Sequence, residues 1–173
     1  VAPYTYHTQH RPLTYHDAAG QTTNFAYNTA GQPTSITNPL SQTTSYAYDT
    51  DHNLTTITNG TNYNDNFHIE ALNGGVVDLR GVTKILDGGG DYRYKATDIT
   101  ADGVDSLVKL DALVRFSDDS ANESNGEAKY STVHAKNRGI VQFITDIPSF
   151  TGINLSVTSG GLIQGTIDIG ANS

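Results

Sequence analysis

Apolar and polar positions alternate along this chain in short runs, and the alternation follows two rhythms. In the first third the period is 21 residues. Tyr4-Thr5-Tyr6 falls in register with Phe25-Ala26-Tyr27 and with Tyr46-Ala47-Tyr48, and Tyr15, Ile36 and Ile57 superpose. Gln21 and Gln42 align as well, as do Thr22-Thr23 and Thr43-Thr44. A period of two sets one face of each run against a core and the other in water, as in a half-buried strand. Each unit reads as a β-hairpin: an aromatic strand, a turn such as Asn28-Thr29-Ala30-Gly31, and a Thr-rich return strand such as Pro33-Thr34-Ser35-Ile36-Thr37. Asn38-Pro39-Leu40-Ser41 supplies the turn into the next unit.

From about Asn66 the 21-residue rhythm stops, and Val, Ile and Leu strands separated by glycine take over. Ile69-Glu70-Ala71, Ile99-Thr100-Ala101, Val133-His134-Ala135 and Leu155-Ser156-Val157 each precede a glycine and then a second short strand. Those second strands contain Val77, Val108, Val141 and Ile163, spaced by 31, 33 and 22 residues. Two short strands joined at a glycine corner, followed by a third, describe one coil of a right-handed parallel β-helix. The pattern predicts about four coils, with loops at 87–95 and 117–129. Ile69, Ile99, Val133 and Leu155 should stack inward, as should Ala71, Ala101, Ala135 and Val157. A third ladder is Val77, Val108, Val141 and Ile163, and a slip of one residue would expose every member. Asp78, Lys109, Gln142 and Gln164 form an outward column in which Asp78 and Lys109 are expected to attract each other. The fold is therefore expected to be all-β, with hairpins over 1–63 and a solenoid over 64–173.

The aromatic-x-Tyr-Asp run Tyr46-Ala47-Tyr48-Asp49 and the Tyr27-Asn28-Thr29-Ala30-Gly31 turn resemble the YD (RHS) repeats of large bacterial surface and toxin proteins. The resemblance covers residues 1–63 and implies hairpins that build a spiralling β-sheet wall. His7 stands where that family carries Asp, and His10 and His52 stand at the turn glycine. More loosely, residues 67–170 resemble the solenoid stalks of very large bacterial surface proteins and adhesins. Both resemblances imply a secreted or cell-surface location.

Composition narrows the range of functions. Hydrophobic residues make up 36% of the 173, and charged residues 16%, against roughly 45–50% and 25% in ordinary globular chains. A net charge of −8 disfavours binding to nucleic acid. Apolar runs are too short to insert in a membrane, and no basic segment precedes an apolar one as in a signal peptide. Without Cys, disulfides and thiolate chemistry are excluded. The lack of Met, an initiating one included, leads us to expect a fragment of a longer chain.

Candidate chemistry is sparse. His7, His10, His16 and His52 crowd the first half, but their spacing suits turns better than a zinc site. Asp49-x-Asp51-x-Asn53 opens like a calcium loop yet carries Leu54 and Gly60 where an EF-hand needs Gly and Glu. Asp118, Asp119, Glu123 and Glu127 form a better calcium candidate on the second loop; no other cofactor is expected. Tyr92, Arg93, Tyr94 and Lys95 place two aromatic rings beside two cations, a pattern suited to stacking sugars. A β-helix lyase or hydrolase would need a base beside a carboxylate, which the column Glu70, Thr100, His134, Ser156 does not supply. No Gly-x-Ser-x-Gly elbow occurs. Asn-x-Ser/Thr triplets at Asn53, Asn59, Asn122 and Asn154 are expected by chance in so Ser/Thr-rich a chain.

The reading is a non-enzymatic structural or adhesive segment that self-associates into a stalk, fibre or matrix. A carbohydrate-binding module is the alternative, with a glycan-cleaving β-helix behind it.

Overall fold

Thr, Val, Ile and Tyr fill the alternating runs, and these residues favour the pleated, half-buried surface of a strand. The computed structural model describes residues 3–59, 66–87, 96–118, 130–143 and 150–165; among them are strands and no helix.

Strands β1 (Tyr4–Tyr6), β2 (Pro12–His16), β3 (Thr22–Tyr27), β4 (Pro33–Thr37), β5 (Thr43–Tyr48) and β6 (Leu54–Asn59) form an antiparallel meander. The residues that superpose at 21-residue spacing pair directly across each hairpin: Tyr4 with Tyr15, Phe25 with Ile36, Tyr46 with Ile57. Every turn has one design. The first turn residue (His7, Asp17, Asn28, Asn38 or Asp49) donates its N–H to the carbonyl four residues on and accepts at its own carbonyl from the residue three on. That third residue takes a positive φ: His10 60°, Gly20 78°, Gly31 82°, Ser41 64°, His52 68°. Glycine holds this conformation without strain, and His is among the few others that tolerate it. The Asp or Asn at the turn's start earns its place through its side chain. Asp49 Oδ1, for example, accepts the N–H of Asp51 at 2.9 Å and of Asn53 at 2.8 Å. The second aromatic ties neighbouring repeats together. Tyr27 donates its hydroxyl to the Pro12 carbonyl at 2.9 Å, and Tyr48, one period later, to that of Pro33 at 2.8 Å.

The solenoid follows. Strands β7 (Asn66–Leu72), β8 (Val76–Asp78) and β9 (Lys84–Asp87) make the first coil, and β10 (Ala96–Asp102), β11 (Leu107–Lys109) and β12 (Arg115–Asp118) the second. The third holds β13 (Ser131–Lys136), β14 (Ile140–Gln142) and β15 (Phe150–Thr151); β16 (Ile153–Thr158) and β17 (Leu162–Gln164) begin a fourth. Pairing between coils is parallel throughout, in three sheets. All three predicted inward ladders stand in register, from Ile69 through Leu155, Ala71 through Val157, and Val77 through Ile163. Glycine is required where one coil crosses the next: a Cβ on Gly139 or Gly161 would lie 2.3 or 2.1 Å from the carbonyl oxygen of Ala101 or Ala135.

The two halves share a wall. β6 pairs in parallel with β9 through Thr56–Lys84, Ile57–Ile85, Thr58–Leu86 and Asn59–Asp87. A single nine-stranded sheet thus runs β1-β2-β3-β4-β5-β6-β9-β12-β15. Its inner face carries the ladder Ile57, Ile85, Phe116, Phe150, and Tyr46 and Leu54 pack against the solenoid core. Thr83 strengthens the seam by donating both its N–H and its hydroxyl to the Thr55 carbonyl. The hairpins therefore cover one end of the apolar interior. Ile69 and Ala71 there are 6% and 1% exposed, whereas Leu155 and Val157, in the same ladders at the far end, are 37% and 53% exposed.

One expectation changes. Asp87, Ser117 and Asp118, assigned to loops, end strands and are buried, because each coil closes its wall before the chain leaves it. Asp78 lies beside Lys109 in register and the two attract each other as expected, while Arg80, two positions on in the same turn, adds a direct bond from its Nε to the Asp78 carboxylate at 2.8 Å. That contact holds the Asp78 carboxyl below its usual pKa. The predicted boundary at 63–64 lies outside the described residues.

Val108, wholly buried in its ladder, gives the sharpest test of register. Val108→Asp should cost several kcal/mol, a large share of the ~5–15 kcal/mol that holds a domain together. Asp78→Asn, on the exposed column, should barely move the thermal midpoint. The opposite ranking in thermal melts would contradict the coil assignment.

Candidate functional site

One corner of the solenoid gathers polar side chains that the apolar patterning does not anticipate. Where the nine-stranded wall ends, Asn59, Asp87 and Asp118 stand in one ladder on successive strands and are buried. Burying such groups is costly unless hydrogen bonds replace water. Thr97 and Ser131, the facing residues on β10 and β13, supply them. Ser131 N–H donates to Asp118 Oδ2 at 2.7 Å, Thr97 hydroxyl to Asp87 Oδ2 at 3.4 Å, and Thr97 N–H to Ser131 Oγ at 2.8 Å. In the sequence the two predicted sites fall between β9 and β10 and between the end of β12 and β13. Tyr92, Arg93, Tyr94 and Lys95 lie outside the described residues, as do Asp119, Glu123 and Glu127. Asp118 is the one member of either set that is described, and it serves the buried ladder. The signal for that ladder is present in the sequence as an apolar-x-Asn/Asp motif: Ile57-Thr58-Asn59, Ile85-Leu86-Asp87, Phe116-Ser117-Asp118.

A second polar array covers the outer face of the sheet formed by β7, β10, β13 and β16. Glu70, Thr100, His134 and Ser156 align as the sequence predicts. The neighbouring column places His68, Asp98, Thr132 and Asn154 side by side. Asp98 accepts a short hydrogen bond from the Thr132 hydroxyl and lies 3.7 Å from His68 Nδ1. A carboxylate does therefore meet an imidazole on this face, in the column next to Glu70, Thr100, His134 and Ser156. Among the described residues no group of three His, Asp or Glu side chains is arranged to hold a metal ion.

The histidines of the first half occupy turns and strand ends. His10 and His52 are the positive-φ turn residues, and His16 Nδ1 lies 2.9 Å from the Thr22 hydroxyl. The Asp49-Asp51-Asn53 spacing belongs to a hairpin turn. Asn53, through its side-chain and backbone N–H groups, leads the contacts that hold the Asp49 carboxyl below its usual pKa.

His134 carries a pH-dependent prediction. Its Nδ1 is buried without a hydrogen-bond partner among the described residues. Burial, with Lys136 adding to it, pushes the imidazole below its ordinary 6.5, while Asp98 pulls the other way. The native state thus resists a proton that the unfolded chain accepts. Stability is unaffected well above pH 6.5 and declines as pH falls through that value towards the lower folded pKa. His134→Gln, neutral at every pH, should lessen the decline. Urea midpoints at about pH 7.5 and about pH 5.5, on either side of the ordinary histidine value, measure it. A difference between wild type and variant that is the same at both values would contradict this account.

Residues 27–62 match the family model described as RHS Repeat. No curated protein and no solved structure matches the chain. The matched segment runs from the end of β3 to just beyond β6, the stretch in which the turn design and the tyrosine tie repeat. No helix among the described residues is long and apolar enough to cross a membrane. Repeats of this kind occur in large cell-surface and secreted bacterial proteins, and residues 27–62 of this chain are an RHS-repeat segment.

Proposed function

We propose that this chain is a stiff structural segment of a large secreted or cell-surface bacterial protein, a length of stalk, fibre or matrix element that catalyses no reaction. The observation that carries this reading is the β6–β9 pairing. A linker between two domains allows them to move. Here the repeat sheet and the solenoid wall instead share backbone hydrogen bonds and one inner ladder, so bending between them means breaking a sheet.

Self-association belongs to the same reading. Leu155, Val157 and Leu162 lie exposed on the last described coil, and strand edges that carry apolar side chains invite further strands. The chain's net charge of −8 opposes close approach, so association should strengthen as salt screens it. Sedimentation velocity across protein and salt concentration is the test. Growth of a dimer or larger species with added salt is expected. A clean monomer at high protein concentration, in low and high salt alike, would contradict the fibre reading.

A further inference from the structure

The chain has 10 Tyr and no Cys, Met or Trp. Thiols and thioethers, which ordinarily take up oxidising equivalents first, are therefore absent. A one-electron oxidant finds the tyrosine phenols as its principal target. Where two phenols stand together, that composition has a chemical consequence.

In the second and third repeats the described tyrosines have other tasks. Tyr27 and Tyr48 hold Pro12 and Pro33 through their hydroxyls, and Tyr46 packs against the solenoid core. The first repeat differs. Tyr4 and Tyr15 face each other across β1 and β2, with ring centroids 4.8 Å apart and ring planes tilted by 39°. The equivalent pairs one and two periods on are Phe25 with Ile36 and Tyr46 with Ile57, so the first repeat alone of the three sets two phenols opposite each other. A hydrogen bond of 2.6 Å between the Thr5 and Thr14 hydroxyls braces the same two strands on their other face. Tyr4 is 40% exposed and Tyr15 half-buried, so an oxidant reaches the pair from solvent. The exposed Tyr6 ring lies further off, 5.9 Å from that of Tyr4 on the same strand.

We infer that Tyr4 and Tyr15 are a site of oxidative coupling, joined as dityrosine by a haem peroxidase with hydrogen peroxide. Each phenol loses the hydrogen atom of its O–H, which leaves two phenoxyl radicals. The radicals combine in one new bond between ring carbons adjacent to the oxygen-bearing carbons. The hydrogen on each bonded carbon then moves as a proton to the phenol oxygen and restores the aromatic ring. In balance, two hydrogen atoms leave the protein, and hydrogen peroxide takes them up to become two molecules of water. A radical on Tyr4 meets Tyr15 at a far higher effective concentration than it meets another molecule. The product staples β1, which lies at the end of the nine-stranded sheet and pairs there with β2. Such a link constrains the unfolded chain and fixes an edge strand that is otherwise exposed. The inference stands on ring geometry and composition and needs no part of the structural role proposed above.

Peroxidase treatment of the full chain at dilute, monomeric concentration tests it, read by dityrosine fluorescence and by mass-spectrometric peptide mapping. We expect dityrosine emission, a monomer lighter by two hydrogens, and a mapped link between Tyr4 and Tyr15. The yield per molecule should not depend on protein concentration. Tyr15→Phe keeps the ring and removes the phenol, and it should lose that link and most of the emission. Tyr6→Phe should keep both. Oxidation should raise the thermal midpoint of the wild type and leave that of Tyr15→Phe unchanged. Links mapped chiefly to other tyrosines, Tyr4 with Tyr6 included, would overturn the proposal. A yield that climbs with protein concentration would do the same, since the bond would then form between copies, as would emission undiminished in Tyr15→Phe. The wild-type map decides the matter even if a variant proves unstable.

Discussion

The parallel pairing of β6 with β9 is the constraint on which the rest depends. An antiparallel meander with one apolar face cannot bury that face alone, and a parallel solenoid exposes an apolar cross-section at each end. Joining them meets each need in part: the third repeat buries Ile57 and one end of the solenoid is covered, while no residue of 3–41 is fully buried. The return strand of the third repeat becomes the first strand of the solenoid wall, and Ile57 continues the ladder of Ile85, Phe116 and Phe150. Tyr46 and Leu54 then pack onto the core at the end that Ile69 and Ala71 would otherwise leave open. The contrast with Leu155 and Val157 shows what the same ladder positions look like without such a cover.

The corner ladder of Asn59, Asp87 and Asp118 follows from that pairing. Asn59 closes β6 as the two aspartates close β9 and β12, so the last hairpin strand obeys the rule of the solenoid as well as that of the repeats. Buried carboxylates contribute little to stability even when hydrogen bonded, and removing a partner is costly. Their place at the point where the chain leaves one wall for the next suggests a part in setting where each strand stops: Thr97 and Ser131 meet them from the following strand.

Much of the fold was legible because side-chain alternation reports burial directly. The three inward ladders could be written down from Ile99, Ala101, Val108 and their equivalents, since any other register would put these residues in water. The hairpin turns were legible from the Asp or Asn that opens four of the five and from the glycine in the left-handed position of two. The seam was not, because it is made by backbone groups that carry no sequence signature. Its trace, the motif shared by Ile57-Thr58-Asn59 and Ile85-Leu86-Asp87, spans the change of rhythm and was hidden by it. The two predicted sites were placed on the segments between strands, whereas the described polar chemistry sits in the strands that frame them: Asp118 in its ladder and Asp98 between His68 and Thr132.

Hydrogen–deuterium exchange of the intact chain and of Thr58→Pro tests the shared wall most directly. Thr58 lies in β6 between Ser45 of β5 and Leu86 of β9, and proline there removes a donor from the interior of the sheet. In the wild type, amides of β5, β6, β9 and β12 should exchange as one cooperative unit, with protection approaching the global stability. In the variant, the protection of β9 should fall along with that of β5 and β6. Exchange of the hairpin strands at their own faster rate in the wild type, with β9 as well protected in the variant as before, would contradict the account.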